Sequence, residues 1–267
     1  MYNFGRILYF CRTTMENYCD NTVILSLSNV SIGYNEKHCV KVVANNLNLS
    51  TKKSEFVCLL GPNGCGKSTL LRTIAGMQTP LSGRILLGNT HIQNISLEEL
   101  AKKMSIVLTD SISIPNMSVY DIVSLGRYPY TNWFGKTTTE DETIIQQSIN
   151  LVGMSSYTHE EFIRLSDGEK QRVLIAKSLA QDTPIILLDE PTAHLDIPNR
   201  IEILKLLQKL SKETDKTIIL STHELNLALK FADTIWLMKK NKPIICDTPN
   251  ALITSKTIES AFDISEF

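Results

Sequence analysis

Residues 61–69 read Gly-Pro-Asn-Gly-Cys-Gly-Lys-Ser-Thr. The apolar run Phe56-Val57-Cys58-Leu59-Leu60 precedes them, and Leu70-Leu71-Arg72-Thr73-Ile74 follows. The first run reads as a short buried strand and the second as the body of a helix. A glycine-rich turn in that context is the pattern of a phosphate-binding loop. Gly61, Gly64 and Gly66 let the backbone wrap tightly enough for amide N–H groups to face phosphate oxygens, with Asn63, Cys65 and Thr69 completing the cradle. The helix N-terminus adds its positive end. At this spacing Lys67 reaches the β- and γ-phosphates of a nucleotide, and the Ser68 hydroxyl reaches a bound Mg²⁺.

Residues 184–190 add a second requirement. They read Pro-Ile-Ile-Leu-Leu-Asp-Glu, an apolar strand that ends in two carboxylates. In a phosphate-loop ATPase the aspartate at such a strand end holds Mg²⁺ through its water shell, and a glutamate beside it orients or deprotonates the attacking water. Asp189 and Glu190 fit these roles. Strand ends often carry solvated acids, so the motif gains chemical meaning only from its pairing with residues 61–69. The expected ligands are ATP and Mg²⁺.

Composition bounds the setting of this site. With 267 residues, and about 150 residues per domain, the chain allows one large domain or two small ones. A core of that size needs no disulfide or metal staple. Apolar residues make up 43% and charged residues 21%, and 27 Lys+Arg against 28 Asp+Glu leave a net charge of −1. These values exclude general disorder, a collagen-like fibre and a strongly basic nucleic-acid binder, so no nucleic-acid partner is expected. No run reaches the ~18 apolar residues of a membrane-crossing helix. Ile185-Ile186-Leu187-Leu188 stops at Asp189. The cysteines at 11, 19, 39, 58, 65 and 246 form no Cys-x-x-Cys pair, which points to reduced thiols. The apolar stretch Ile7 to Cys11 is shorter than a secretory core, and Met15 offers an alternative start. Residues 1–21 are read as an N-terminal extension and 22–267 as one domain.

Strand-like segments run Val23 to Val30, Cys39 to Leu47, Glu55 to Leu60, Arg84 to Leu87 and Met104 to Leu108. Others follow at Pro184 to Asp189, Thr217 to Leu220, Thr234 to Met238 and Pro243 to Cys246. Helical periodicity marks Glu140 to Val152, Gly168 to Gln181, Pro198 to Glu213 and Glu224 to Phe231. Strands before about residue 90 come largely without helices, and from 168 onward the two alternate. The expected fold is α/β, a parallel-sheet core with an N-terminal antiparallel layer. A helical subdomain at about 110–167 would be inserted in the core.

Further motifs carry a family resemblance. Residues 165–169, Leu-Ser-Asp-Gly-Glu, followed by Lys170-Gln171-Arg172-Val173, resemble the signature motif of ABC transporter ATPases. The run Asp189-Glu190-Pro191-Thr192-Ala193-His194-Leu195-Asp196 is similar to that family's Walker B motif and D-loop, and Thr222-His223-Glu224 to its switch-histidine loop. Tyr34 matches the adenine-stacking position. In order, these motifs cover about residues 22–240.

The resemblance implies a P-loop NTPase fold and a head-to-tail homodimer that sandwiches two ATP molecules. Ser166 and Gly168 of one subunit would then meet the γ-phosphate held by the other. A helix N-terminus suits that anion, and Ser166 or Asp167 also serves as a plain N-cap. Asp196 would contact the opposite subunit, and His223 would reach the γ-phosphate or the attacking water. Catalysis would rest on Glu190, His223 and Lys67. Two positions depart from the family pattern. Asp167 replaces the signature's first glycine, with Lys170 and Arg172 near enough to offset its charge. Thr109 stands where the family carries a glutamine, and its hydroxyl or the Asp110 carboxylate would have to meet Mg²⁺ or its waters.

The run Met117-Ser118-Val119-Tyr120-Asp121-Ile122-Val123, then Leu125-Gly126-Arg127-Tyr128-Pro129-Tyr130 and Trp133, resembles ATPases of iron-siderophore, haem and cobalamin importers. That implies a peripheral subunit at the cytoplasmic face of the membrane. It would be partnered by permease subunits and, indirectly, by a substrate-binding protein. An ABC exporter or lipoprotein-release ATPase is the alternative within the family, and a soluble ABC protein acting on ribosomes or DNA the alternative outside transport. The Gly-Arg-Tyr-Pro step speaks against the first. The single cassette, free of coiled-coil insertions and zinc motifs, speaks against the second.

Overall fold

The five residues Phe56–Leu60 are all buried, on both faces of the strand they form. A strand buried on both faces belongs at the centre of a covered, parallel sheet. In the computed structural model, which describes residues 23–36, 39–109, 115–131, 138–240, 242–255 and 258, it does. The expectations for residues 1–21, Asp110 and Trp133 fall outside the described residues.

In chain order the strands are β1 (Val23–Glu36), β2 (Cys39–Lys52), β3 (Phe56–Leu60), β4 (Ser82–Leu87), β5 (Thr90–His91), β6 (Met104–Val107), β7 (Ile185–Leu188), β8 (Thr217–Thr222), β9 (Thr234–Leu237) and β10 (Ile245–Asp247). The α-helices are α1 (Lys67–Ile74), α2 (Leu97–Ala101), α3 (Val119–Ser124), α4 (Thr139–Leu151), α5 (Asp167–Ala180), α6 (Ile197–Glu213), α7 (Leu225–Phe231) and α8 (Pro249–Thr254).

Two sheets form. One has the order β10-β9-β3-β8-β7-β6, parallel except for the antiparallel edge β10. The other is antiparallel, in the order β2-β1-β4-β5. Alternation along β3 divides the core. Val57 and Leu59 face a cluster that joins the antiparallel sheet through Leu25, Ile32 and Ile85 and takes in Leu70 and Leu71 of α1. Phe56, Cys58 and Leu60 face a second cluster built with α3, α4, α5 and α6. The two-residue period of the strand thus glues one layer to each face.

The chain between β6 and β7 is helical among its described residues, as the sequence leads one to expect. It is held by a buried ion pair. Arg127 Nε donates to Asp141 Oδ1 at 2.7 Å, Arg127 Nη1 donates to the Ala180 carbonyl at 2.9 Å, and the Tyr130 ring lies 4.1 Å from the guanidinium carbon. Asp141 also closes a capping box with Thr138 at the start of α4. One guanidinium therefore joins α4, α5 and the Leu125–Tyr130 turn. Gly126 lets that turn sit down on α5, since a Cβ there would stand 2.3 Å from the Lys177 carbonyl. The Gly-Arg pair of the Gly-Arg-Tyr-Pro step is thus buried packing, while Tyr128 is exposed.

Some boundaries differ from expectation. β1 and β2 each run 14 residues, past Val30 and Leu47. The continuation of β1 pairs in regular register with the exposed start of β2, while the continuation of β2 alternates buried and exposed residues against the start of β1, and the register shifts fall between Val23 and Gly33. β10 starts at Ile245 rather than Pro243, and proline cannot donate a ladder bond. Among the cysteines, Cys58 and Cys65 are buried thiols, and Cys11 and Cys19 lie outside the described residues.

Removing one partner of the Arg127–Asp141 pair leaves the other buried and unpaired. Arg127→Ala should lower the unfolding free energy by about 3–5 kcal/mol in a urea titration, and Arg127→Met with Asp141→Leu should cost less than that. The Thr138 amide, then Arg127, hold the Asp141 carboxyl below the usual aspartate range. Its contribution is complete above that range and is lost as pH falls through the depressed value. The stability gap between the wild type and Asp141→Asn should therefore narrow in acid.

Candidate functional site

Strand order decides what meets at the site. β3 lies between β8 and β9, and β8 lies between β3 and β7. Leu60 pairs with Thr222, and Leu188 pairs with Leu220. The segments that leave the carboxyl ends of β3, β7 and β8 are residues 61–66, Asp189-Glu190 and His223, so they share one edge, where ligands of such sheets bind.

The loop after β3 needs its glycines for space as well as for φ. Gly64 and Gly66 take φ of 75° and 112°. A Cβ on Gly66 would stand 2.3 Å from Val43 Cγ1, and one on Gly61 would stand 2.3 Å from the Met238 carbonyl. Gly61 N–H donates to the Thr222 carbonyl at 3.2 Å, tying loop to β8. The Cys65 side chain packs inward, and burial pushes its thiol pKa up, so it remains neutral. Asn63 and Gly64 are exposed on the loop's outer side.

Lys67, at the start of α1, is only 4% exposed. Its ammonium donates to the Gly61 carbonyl at 2.9 Å and the Pro62 carbonyl at 3.2 Å, and pairs with Glu190 Oε1 at 3.1 Å. Three donors find three acceptors, which is what a buried ammonium needs. The other oxygen of Glu190, Oε2, lies 3.4 Å from His223 Nδ1. Lys67, Glu190 and His223 thus form one continuous cluster. Glu190 takes a left-handed φ of 46°, a strained value of the kind that concentrates at functional sites.

Asp189 is buried beside it and accepts a hydrogen bond from Ser221 Oγ at 2.7 Å. The same hydroxyl oxygen accepts the Glu190 amide at 2.8 Å. Ser221 thereby orients both acids, and sequence reasoning did not single it out. The available signal was a small hydroxyl residue in the strand preceding Thr222-His223. Thr109 Oγ1 donates to the Asp189 carbonyl at 2.7 Å, so its proton is committed to the same turn while its lone pairs stay available. Tyr34 shares a hydrogen bond of 2.8 Å with Thr69 Oγ1 and keeps its ring partly exposed over α1. Ser68 is partly exposed next to Lys67.

A second group stands apart. Ser166 caps α5 in a capping box with Glu169, and its hydroxyl and amide hold the Glu169 carboxyl below the usual glutamate range. Gly168 is buried against Asn199, and Asp196 caps α6 by accepting the Asn199 amide at 3.1 Å. Among the described residues, no hydrogen bond or ion pair joins Ser166, Gly168 or Asp196 to residues 61–69. The expected offset of Asp167 holds only for Lys170, at 3.9 Å. Arg172 turns away and pairs with Glu202 at 2.6 Å, because α6 presents a closer carboxylate.

The comparisons with known proteins bear on this arrangement. The ABC transporter family matches residues 44–193. The petrobactin import ATP-binding protein FpuD of Bacillus anthracis is 36% identical over 238 residues, which is 89% of this chain and 86% of that protein. The iron(3+)-hydroxamate import ATP-binding protein FhuC of Bacillus subtilis is 36% identical over 240 residues, 90% of this chain and 88% of that protein. Among solved structures, an inward-facing metal-chelate type ABC transporter aligns with a TM-score of 0.78 at 29% identity, over 90% of this chain and 89% of that one. A dimeric ATP-binding cassette in a post-hydrolysis state with ADP and Pi aligns with a TM-score of 0.72 at 29% identity, over 84% of this chain and 98% of that one. No helix among the described residues is long and apolar enough to cross a membrane. With the nucleotide loop, the paired acids and the separate capped helix in the family's order, the chain belongs to the ABC transporter family as an ATP-binding, ATP-hydrolysing subunit.

Proposed function

We propose that the chain hydrolyses ATP to energise uptake of an iron-siderophore, haem or cobalamin through a separate permease. The observation that carries the hydrolytic reading is the Lys67–Glu190–His223 cluster at the strand ends. Likeness to the petrobactin and iron-hydroxamate import proteins supports the import reading. The subunit would work at the cytoplasmic face of the membrane as a homodimer bound to permease subunits, and indirectly with a substrate-binding protein.

In this account the triphosphate enters the loop formed by Gly61, Asn63, Gly64, Cys65 and Gly66, and Tyr34 stacks on the adenine. The γ-phosphate replaces Glu190 as the anion on Lys67, and Thr69 steadies the Tyr34 hydroxyl. Glu190 is thereby freed to take a proton from water. The water oxygen bonds to the γ-phosphorus, and the bond to the bridging oxygen breaks. His223, already on the other carboxylate oxygen, keeps Glu190 aimed. Ser166, Gly168 and Asp196 of a second copy complete the site. That division fits the lack of any bond from them to residues 61–69 within one chain among the described residues.

Mg²⁺ fits the donors present. The Ser68 hydroxyl and the Asp189 carboxylate are hard oxygen ligands, with the Thr109 oxygen in reserve. The remaining ligands would come from nucleotide phosphates and water. When bound, the ion would neutralise charge on the phosphates.

Glu190→Gln should lower ATP turnover about 100-fold or more. In light scattering it should accumulate an ATP-bound dimer. Undiminished turnover in that variant contradicts the assignment of the base. In vesicles with the cognate permease, ATP-dependent accumulation of a ferric siderophore, haem or cobalamin is expected, and ATP-driven export instead contradicts the import reading.

A further inference from the structure

Arg200, in the first turns of α6, has no part in the chemistry above, yet it is bound at both ends of its guanidinium. Its Nε donates to the Leu195 carbonyl at 2.6 Å, and its Nη1 pairs with Glu224 Oε2 at 3.1 Å. Glu224 directly follows His223. Its other oxygen accepts from Thr192 Oγ1 at 3.4 Å, and its amide donates to Thr222 Oγ1 at 3.0 Å. Among the described residues, Arg200 is the only ion-pair partner of Glu224. One carboxylate is thus gripped by both halves of segment 192–200, and the residue before it is the histidine aimed at Glu190.

The geometry is specific to arginine. A planar guanidinium can send one N–H to a carbonyl and another to a carboxylate in fixed directions, while an ammonium on a flexible stem holds one of the two well. Both groups are largely shielded, with Arg200 30% and Glu224 21% exposed, so the pair is less screened than one on an open surface.

We propose that Arg200 is the positioning residue of His223: by holding Glu224 it fixes the turn after β8 to segment 192–200 and keeps the imidazole on Glu190. This rests on the reading of His223 given above. His223 sits one residue from the carboxylate that Arg200 holds, and a displacement on the order of 1 Å of such a group is costly to chemistry while leaving the nucleotide loop untouched.

Steady-state ATPase kinetics test this with Arg200→Ala, Arg200→Lys, Glu224→Gln, the double variant Arg200→Ala/Glu224→Gln, and His223→Ala. Arg200→Ala should lower kcat about tenfold with the KM for ATP within about twofold, since the loss falls on the chemical step. Arg200→Lys should recover part of kcat, and the double variant should be no worse than Arg200→Ala alone, as for two ends of one interaction. An unchanged kcat in Arg200→Ala, a KM that rises while kcat holds, or multiplicative losses in the double variant overturn the proposal. If Arg200→Ala fails to fold, Glu224→Gln carries the same test, since it removes the charge and keeps the shape. Full turnover in His223→Ala overturns the reading of His223 and this inference together. A collapse in His223→Ala with normal Arg200→Ala and Glu224→Gln overturns this inference alone.

Discussion

A buried ammonium needs anions, and the site is arranged around that need. At 4% exposure the Lys67 ammonium needs acceptors in place of water, and two loop carbonyls plus one carboxylate supply them. The carbonyls belong to the loop that Lys67 itself closes, so they come with the fold. The carboxylate comes from another strand, and a phosphate can replace it. In the function proposed above, Glu190 would act as a stand-in for the γ-phosphate, released by the ligand it imitates. On that proposal a single ion pair would link nucleotide arrival to the availability of a base.

The sheet explains why those groups meet. β3 and β7 both border β8, so β8 bridges the loop and the acids. Its last residues serve both neighbours. The Thr222 carbonyl takes the Gly61 amide, and Ser221 takes the Glu190 amide and binds Asp189. The capped starts of α5 and α6, proposed as the second half-site, are held by other contacts in the same chain. A family whose solved cassettes include a nucleotide-bound dimer provides the natural way to join the halves.

Legibility in the sequence followed the range of the contacts. Residues 61–69 were readable because the strand, turn and helix that define them are contiguous. Asp189 and Glu190 were readable as an apolar strand ending in two acids, paired with that loop, and His223 from motif order. Ser221 was not, because its bond to Asp189 spans 32 positions and a serine near a strand end has many plain explanations. Arg200 and Glu224 were hidden for the same reason. The Gly126-Arg127 pair was legible as a motif but not as packing, since its partners, Asp141, Lys177 and Ala180, come from two later helices. The strand order was not readable, since β3 pairs with β8 and β9 across more than half the chain. β1 and β2 were read short because their continuations carry polar or small residues, Ser31, Gly33 and Asn35 in one and Asn48, Ser50 and Thr51 in the other, although Leu49 and Thr51 are buried.

If Glu190 is a stand-in for phosphate on Lys67, removing its charge should help the nucleotide bind, and removing the lysine should hurt. Equilibrium ATP affinity, measured by calorimetry on the wild type, Glu190→Gln and Lys67→Ala, tests this directly. The account predicts that Glu190→Gln binds ATP at least as tightly as the wild type, and that Lys67→Ala binds about tenfold or more weakly, the loss of a charged hydrogen bond of roughly 1.5–3 kcal/mol. A Glu190→Gln variant that loses affinity as Lys67→Ala does would contradict it, because Glu190 would then be part of the binding site rather than a group the nucleotide displaces.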